Sequence, residues 1–196
     1  MEAVLAWDAR LLLWLNGWIG ASPVLDSLLW LVVSDYLTPV VLSLCLVGMW
    51  FGARARREWH QRAVLVSLSG MGFASLAVLV FNHLFFRPRP FLVHPEVFLF
   101  FYRPTDPSSF PSHAATVGFA LAAGVGYGNP RLGAWAYLMA ALWSLARVAV
   151  GVAYPSDVLV GAALGVGITY LVVAGFRLLE PVPTLVLRAA QRLYLA

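Results

Sequence analysis

The chain is poor in charge and in cysteine, and it contains no lysine. Charged residues make up 11% of its 196 positions, whereas an ordinary soluble domain has about a quarter. The single cysteine, Cys45, excludes a disulfide framework within one chain. All of the basic residues are arginines that lie between apolar runs, and the net charge is only +4, which does not favour nucleic-acid binding. The scarcity of charge excludes an ordinary soluble domain and indicates a lipid environment.

What the chain has in excess is apolar sequence. Hydrophobic residues account for 61% of it, and its mean hydropathy is +0.82. A helix that crosses a bilayer needs about 20 mostly apolar residues. Five runs are candidates for such helices, and the third of them is the shortest: 27–51, 63–86, 114–127, 132–150 and 156–179. The sequence predicts an all-α integral membrane protein, a bundle of five or six transmembrane helices in one domain over residues 1–196.

The two ends of the chain are less regular. Residues 1–20 are apolar but interrupted by Asp8, Arg10 and Asn16, so they form either an interfacial helix or a sixth span. The tail over residues 181–196 is predicted to be a short amphipathic helix on the surface. Asp35, within the first apolar run, also has two interpretations. It is either a residue that handles a proton or substrate, or it marks a kink or helix end.

The arginines predict the orientation of the bundle. If the five runs alternate in direction, eight arginines fall on one side: Arg54, Arg56, Arg57, Arg62, Arg131, Arg177, Arg188 and Arg192. By the positive-inside rule that side is the cytoplasm. The other face carries Arg87, Arg89, Arg103 and Arg147, which we interpret as functional residues.

Three polar clusters are predicted to share this outer face. They are residues 82–90, which close the second run, residues 108–113, which open the third, and residues 147–157, which join the fourth and fifth. Ionisable residues at membrane depth are costly and indicate function. Arginine binds phosphate through a planar fork of donors, and Ser112 and His113 open a helix whose free N–H groups favour an anion. The clusters lack the density of His, Cys and carboxylate ligands found in metal sites, so we expect chemistry without a metal or other cofactor.

The three clusters resemble the motifs of the type 2 phosphatidic acid phosphatase superfamily, and within it most closely the undecaprenyl-diphosphate phosphatases of the BcrC type. The family pattern is a lysine, six residues and Arg-Pro, then Pro-Ser-x-His, then Ser-Arg, five residues, His, three residues and Asp. This chain matches it, in order and spacing, with Asn82 to Arg89-Pro90, Pro111-Ser112-His113-Ala114, and Ala146-Arg147 to Ala153 and Asp157. The resemblance covers residues 63–179, where a phosphatase-like core is expected.

The resemblance also implies a mechanism. A histidine at position 153 attacks phosphorus and forms a phosphohistidine, while Asp157 holds its imidazole in the reactive tautomer. A histidine at position 114 protonates the leaving oxygen. Arg89, Arg147 and the amides near Ser112 hold the phosphoryl oxygens and stabilise the charge of the transition state.

The chain departs from the family pattern at the residues that carry the chemistry. Ala153 replaces the nucleophile and Ala114 replaces the general acid. His113 lies one residue earlier and is an alternative acid if the motif is read with a gap. Asn82 replaces the lysine and offers phosphate a hydrogen bond without a charge, and Ala146 replaces the serine.

The two alanines have two explanations. We favour a pair of inactivating His→Ala changes, because both losses fall on the histidine positions while Asp157 is kept. The alternative is a natural pseudophosphatase that binds or transports a lipid phosphate.

The chain as a whole has a third and plainer interpretation. It is a structural helix bundle in which Arg89, Arg147 and Asp157 form a buried ion network.

The resemblance implies a multi-pass protein of the bacterial plasma membrane whose active site faces the periplasm or exterior. Its partner is then a polyprenyl or other lipid (di)phosphate within the bilayer. Undecaprenyl diphosphate is the expected substrate, and its dephosphorylation to undecaprenyl phosphate recycles the carrier of cell-wall precursors. Phosphatidylglycerol phosphate and phosphatidic acid are the alternative substrates.

Overall fold

The computed structural model describes residues 2–52, 56–100 and 108–193, and these residues form nine helices without a strand. The helices are α1 (Glu2–Asn16), α2 (Pro23–Val33), α3 (Leu37–Phe51), α4 (Arg57–Leu84), α5 (Pro90–Val93), α6 (His113–Gly128), α7 (Pro130–Ala149), α8 (Pro155–Leu178) and α9 (Val182–Arg192). The predicted all-α class is confirmed. Arg54 and Arg103, to which the sequence assigned opposite sides of the membrane, lie outside the described residues.

Helix α6 is the centre of the bundle, and it packs most extensively against α4, α7 and α8. It is rich in alanine and glycine, small residues that let neighbouring helix backbones approach closely. The approach to α8 is close. A Cβ atom added at Gly161 would lie 2.6 Å from the carbonyl oxygen of Ser112, and one at Gly165 would lie 2.2 Å from that of Thr116. Glycine at these positions therefore sets the distance between the start of α6 and the second and third turns of α8.

Three helices, α4, α7 and α8, are long and apolar enough to cross a membrane, and four spans result if α2 and α3 count as one broken span. The number is lower than the predicted five or six for two reasons. The run 27–51 is divided at residues 34–36, where α2 and α3 meet at a bend of 52°. Helix α6 has 16 residues, which is shorter than the approximately 20 that a straight span needs.

Helix α1 lies across one end of the bundle. At its middle, the buried carboxylate of Asp8 accepts hydrogen bonds from the backbone N–H of Ser156 at 2.9 Å and from its hydroxyl at 2.5 Å. At its end, the Asn16 amide donates to the carbonyl oxygens of Ala149 and Phe98, at 2.8 and 2.9 Å. Ser156 opens α8 and Ala149 closes α7, so the middle and the C-terminal end of α1 are held at the same end of the bundle. Helix α1 has 15 residues, fewer than the approximately 20 that a straight span needs.

The opposite end is closed by the tail. Arg62 near the start of α4 forms an ion pair with Glu180 and donates to the hydroxyl of Thr184 at 3.0 Å. Helix α9 buries Leu187 and exposes Arg188, as predicted for a short amphipathic helix. The described arginines that the sequence placed on the cytoplasmic side all lie toward this end, because α4 and α7 begin there and α8 ends there.

Candidate active site

A cavity of about 360 Å³ lies at the end of the bundle that α1 crosses. Its lining comes from the α2–α3 bend, the loop before α6 and the ends of α6 and α7: Asp35, Pro39, Arg89, Ser109, Ser112, His113, Ala114, Val117, Trp143, Arg147, Val152 and Ala153. Six of the eight residues that the sequence predicted for the site are in this lining. The structure therefore brings one residue or more from each of the three motifs into a single cavity.

Two buried arginines supply the positive charge of the cavity. Arg89 is 7% exposed, precedes α5 in extended backbone and donates from Nη1 to the carbonyl oxygen of Val152 at 2.8 Å. Arg147 is 8% exposed in the last turn of α7, and its guanidinium carbon lies 5.2 Å from the ring centre of Trp143. Two guanidinium groups in a small cavity favour an anion, and phosphate matches their fork geometry.

The start of α6 forms the wall between these arginines. Ser112 is the N-cap of α6, and its hydroxyl accepts a hydrogen bond from the backbone N–H of Ala115 at 3.5 Å. Its own N–H donates to the carbonyl oxygen of Asp157 at 3.1 Å, which ties α6 to α8. Because His113 and Ala114 both line the cavity, the first turn of α6, with its positive dipole end, faces the cavity and favours an anion there.

The two alanines at the family's histidine positions both line the same cavity. Ala153 follows Val152 in the loop between α7 and α8 and is 3% exposed, and Ala114 in the first turn of α6 is 6% exposed. Neither methyl group can attack phosphorus or move a proton. His113, the alternative acid, also lines the cavity and opens α6. The cavity thus combines two buried guanidinium groups with methyl groups at the two positions where the resemblance implies histidines.

Asp157 lies behind the cavity rather than in its lining. Its side chain is fully buried, and Oδ1 accepts from Nη1 of Arg87 at 2.5 Å while Oδ2 accepts from the backbone N–H of Tyr154 at 3.3 Å. The same guanidinium donates to Asp8 at 2.8 Å and covers the Tyr154 ring at 3.8 Å. Burial lowers the pKa of Arg87, but the hydrogen bonds and charges of Asp8 and Asp157 outweigh it, so the net pKa is raised.

Asn82 is not part of the cavity, in contrast to its predicted role as a phosphate ligand. Helix α4 continues to Leu84, so Asn82 stays on the helix while the following loop carries Arg89 into the site. Its buried amide oxygen has no hydrogen-bond partner among the described residues. The short asparagine side chain lacks the four-carbon reach of the lysine that it replaces.

Sequence reasoning left the role of Asp35 open. Its carboxylate forms an ion pair with Arg147 and lines the cavity, while α2 ends at Val33 and α3 begins at Leu37. The helix-break interpretation of Asp35 is therefore confirmed, whereas a role in handling a proton or substrate stays a prediction for a residue that lines the cavity. The pair joins residues 112 positions apart, a distance over which no sequence pattern signals a contact.

This fold and this cavity define a class of protein, a helical membrane protein with a buried, arginine-lined cavity at one end of the bundle. The profile of the PAP2 superfamily matches residues 63–179, more than half of the chain, and the chain belongs to this superfamily. The match has the bounds that the resemblance predicted. It makes the chain a multi-pass membrane protein of the phosphatase-type hydrolases.

Two curated relatives of this chain are also phosphatases. The chain is 29% identical to the undecaprenyl-diphosphatase BcrC of Bacillus subtilis over 175 residues, which cover 89% of this chain and 86% of BcrC. It is 36% identical to the decaprenylphosphoryl-5-phosphoribose phosphatase of Mycobacterium tuberculosis over 126 residues, 63% of this chain and 64% of that protein. Both relatives are phosphatases of polyprenyl lipids, which supports a lipid phosphate as the partner of this family member.

Solved structures confirm the fold. LpxE of Aquifex aeolicus aligns with a TM-score of 0.68 and 25% identity, covering 86% of this chain and 95% of LpxE. The PAP2-type phosphatidylglycerolphosphate phosphatase of Bacillus subtilis aligns with a TM-score of 0.62 over 92% of this chain and 90% of its own. The second likeness, at 22% identity, supports the architecture alone.

Proposed function

We propose that this chain is built as a phosphatase for undecaprenyl diphosphate, and that in its present form it binds the lipid phosphate without hydrolysing it. One observation carries the proposal. A single cavity unites Arg89, Arg147 and the start of α6 with the two alanines at the family's histidine positions. The lining supports an anion-binding site with two cations, and it holds methyl groups where the mechanism needs imidazoles.

With histidines restored, the site would act in two steps. The imidazole at position 153 attacks phosphorus, and the bond between phosphorus and the leaving oxygen breaks as a histidine at position 114 protonates that oxygen. Water then hydrolyses the phosphohistidine. Arg89 and Arg147 balance the negative charge in both steps. Asp157 is suited to orient the nucleophile because its carboxylate already accepts the N–H of Tyr154, the neighbour of position 153.

The relatives support the proposed substrate, and the positions of the arginines support the proposed orientation. The likeness to BcrC extends over 89% of the chain and favours a polyprenyl diphosphate. Phosphatidylglycerol phosphate and phosphatidic acid are the alternatives. The described topogenic arginines cluster at the end opposite to the cavity, which supports a site that faces the periplasm or exterior.

The decisive experiment is the double reversion Ala114→His with Ala153→His. We expect the purified revertant in detergent to release phosphate from undecaprenyl diphosphate, whereas the present chain releases little or none. The single variant Ala114→His is the matched control, since it restores the acid without the nucleophile and should stay inactive. A folded double revertant that binds the lipid but releases no phosphate would contradict the phosphatase assignment.

A second function, non-catalytic binding or transport of a lipid phosphate, is favoured by one feature. Arg87 satisfies the carboxylate of Asp157, so this buried acid has a partner without any histidine. The transport reading expects the present chain to move undecaprenyl phosphate between the leaflets of liposomes. The phosphatase reading expects no such movement, so translocation by the unmodified chain separates the two functions.

A further inference from the structure

Helix α1 contributes one acidic residue, Asp8, to the region behind the arginine-lined cavity. Asp8 lies outside residues 63–179, the part of the chain that the PAP2 profile matches. Its side chain is nevertheless fully buried, and a buried carboxylate is costly unless it is paired and hydrogen-bonded. In the sequence Asp8 only interrupts an apolar stretch, so its contacts must show what it does.

The carboxylate of Asp8 divides the guanidinium of Arg87 between two acids. Nη2 of Arg87 donates to Oδ2 of Asp8 at 2.8 Å, whereas Nη1 donates to Oδ1 of Asp157 at 2.5 Å. The Ser156 hydroxyl fixes this arrangement, because it accepts from Nη1 at 2.8 Å and donates to Oδ2 of Asp8 at 2.5 Å. Arg87 therefore holds Asp157 through one oxygen, although arginine and carboxylate often pair through two parallel hydrogen bonds.

The second oxygen of Asp157 can accept another donor. Oδ2 accepts the backbone N–H of Tyr154 at 3.3 Å, which is a long hydrogen bond, and a carboxylate oxygen has two lone pairs. Ala153 directly precedes Tyr154 in the loop between α7 and α8. A histidine at position 153 would therefore start one residue away from the oxygen that Arg87 does not take.

The charges of this network favour the same partner. Asp8 and Asp157 face one guanidinium, that of Arg87, so these three groups carry one negative charge in excess. Burial makes such an imbalance costly. An imidazole at position 153 would become positively charged when it bonds to phosphorus, and the extra carboxylate behind it would stabilise that charge.

We propose that Asp8 is a positioning residue, which holds Nη2 of Arg87 and thereby leaves Oδ2 of Asp157 to a histidine at position 153. The inference rests on the proposed function, because it assigns that histidine its role as the nucleophile. If Asp8 loses its charge, the guanidinium can close its fork on both oxygens of Asp157. The histidine then loses the acid that orients it.

The first test observes this hydrogen bond without catalysis. In Ala153→His, the full-length protein labelled with ¹⁵N in histidine gives one imidazole signal that the parent lacks. We expect the proton of this imidazole on Nδ1, because a hydrogen bond to the carboxylate of Asp157 fixes that tautomer. Asp8→Asn in the same background should give a mixture of tautomers. Asn16→Ala is the matched control, since it removes the other anchor of α1 without touching the network, and the tautomer should be unchanged.

A second variant covers the case in which Asp8→Asn fails to fold. Ser156→Ala removes the hydroxyl between Arg87 and Asp8 but keeps all three charges. It should move the imidazole toward the same mixture of tautomers, to a smaller extent. An Nδ1 signal that neither Asp8→Asn nor Ser156→Ala changes would overturn the proposal. A mixture already present in Ala153→His would also overturn it, because Asp157 would then not be available to the histidine.

The second test measures turnover in the double revertant. Asp8→Asn should lower kcat for undecaprenyl diphosphate about tenfold and leave KM unchanged, because the arginines that line the cavity are untouched. Asn16→Ala in the same background should change neither constant. Equal kcat values for the two variants would show that Asp8 merely anchors α1, and would overturn the positioning role.

Failure of the proposed function has a different signature. If the double revertant releases no phosphate while the tautomer still depends on Asp8, the phosphatase assignment is wrong and the positioning of Asp157 by Asp8 stands. If the double revertant is active and Asp8→Asn changes neither the tautomer nor kcat, only the role of Asp8 is wrong.

Discussion

Nη1 of Arg87 lies 2.5 Å from Oδ1 of Asp157, and Nη2 of the same guanidinium lies 2.8 Å from Oδ2 of Asp8. Both carboxylates are fully buried. One arginine from the loop after α4 thereby holds the start of α8 and helix α1 together behind the arginine-lined cavity. The acid that the family pattern pairs with a histidine has an arginine as its partner in this chain.

We expect Arg87→Met to destabilise the protein by about 3 kcal/mol, because it leaves two buried carboxylates without their cation. The free energy of unfolding in mild detergent, from denaturant titration, measures the effect. Arg131→Met is the control, since Arg131 is exposed at the opposite end of the bundle and should change stability by less than about 0.5 kcal/mol. Equal stabilities of the two variants would show that the Arg87 pairs contribute nothing.

Asp35→Asn should raise the affinity for inorganic phosphate about fivefold. The carboxylate of Asp35 competes with phosphate for Arg147 and repels it within the same cavity, and the amide does neither. Calorimetric titration of phosphate gives the affinity. Asp26→Asn, at the start of α2, removes the same charge outside the cavity and should leave binding unchanged. Weaker binding by Asp35→Asn would instead mean that Asp35 orients Arg147 for phosphate.

Gly165→Ala and Gly167→Ala should have opposite effects on stability. A methyl group at Gly165 would meet the carbonyl oxygen of Thr116 at 2.2 Å, whereas one at Gly167 would have no atom within 4 Å. The first substitution should cost about 2–3 kcal/mol by separating α6 from α8. The second should stabilise α8 by up to about 1 kcal/mol, through helix propensity. Thermal unfolding in detergent compares them, and similar melting temperatures would refute the close contact.

In the double revertant, Asp157→Asn should reduce phosphate release by about a hundredfold. The neutral amide cannot stabilise the imidazolium or fix the tautomer of a histidine at position 153 as a carboxylate does. Initial rates on undecaprenyl diphosphate measure the loss, with Asp26→Asn in the same background as the control. An unchanged rate would mean that Arg87 keeps Asp157 engaged and that the restored histidine acts without it.

The sequence predicted most residues of the cavity, because the motifs that contain them lie at the ends of successive apolar runs. Runs that alternate in direction bring every second junction to the same end of a bundle, so Arg89, Ser112, Ala114, Arg147 and Ala153 were expected together and are found together. The sequence was less accurate about which side chains extend into the cavity. Asn82 matches the lysine position in spacing, yet it remains on α4 outside the cavity, because spacing along a chain does not specify the direction of a side chain.

The partners of the charged residues could not be predicted in the same way. Arg87 and Asp8 are separated by 79 positions, and Arg147 and Asp35 by 112. Each of these residues was visible as an unusual charge in an apolar chain. Which carboxylate meets which arginine depends on how α1 crosses the bundle and where the first apolar run bends.

The sequence by itself determined that this is a helical membrane protein with three arginine- and serine-containing motifs of the PAP2 superfamily, because composition, run length and motif spacing are local properties of the chain. Only the tertiary structure decided that Arg87 engages Asp157, that Asp35 pairs with Arg147, and that Arg89 and Arg147 line one cavity. These are distances between side chains far apart in sequence, and they are set by the packing of small residues between α6 and α8 and by the bend between α2 and α3.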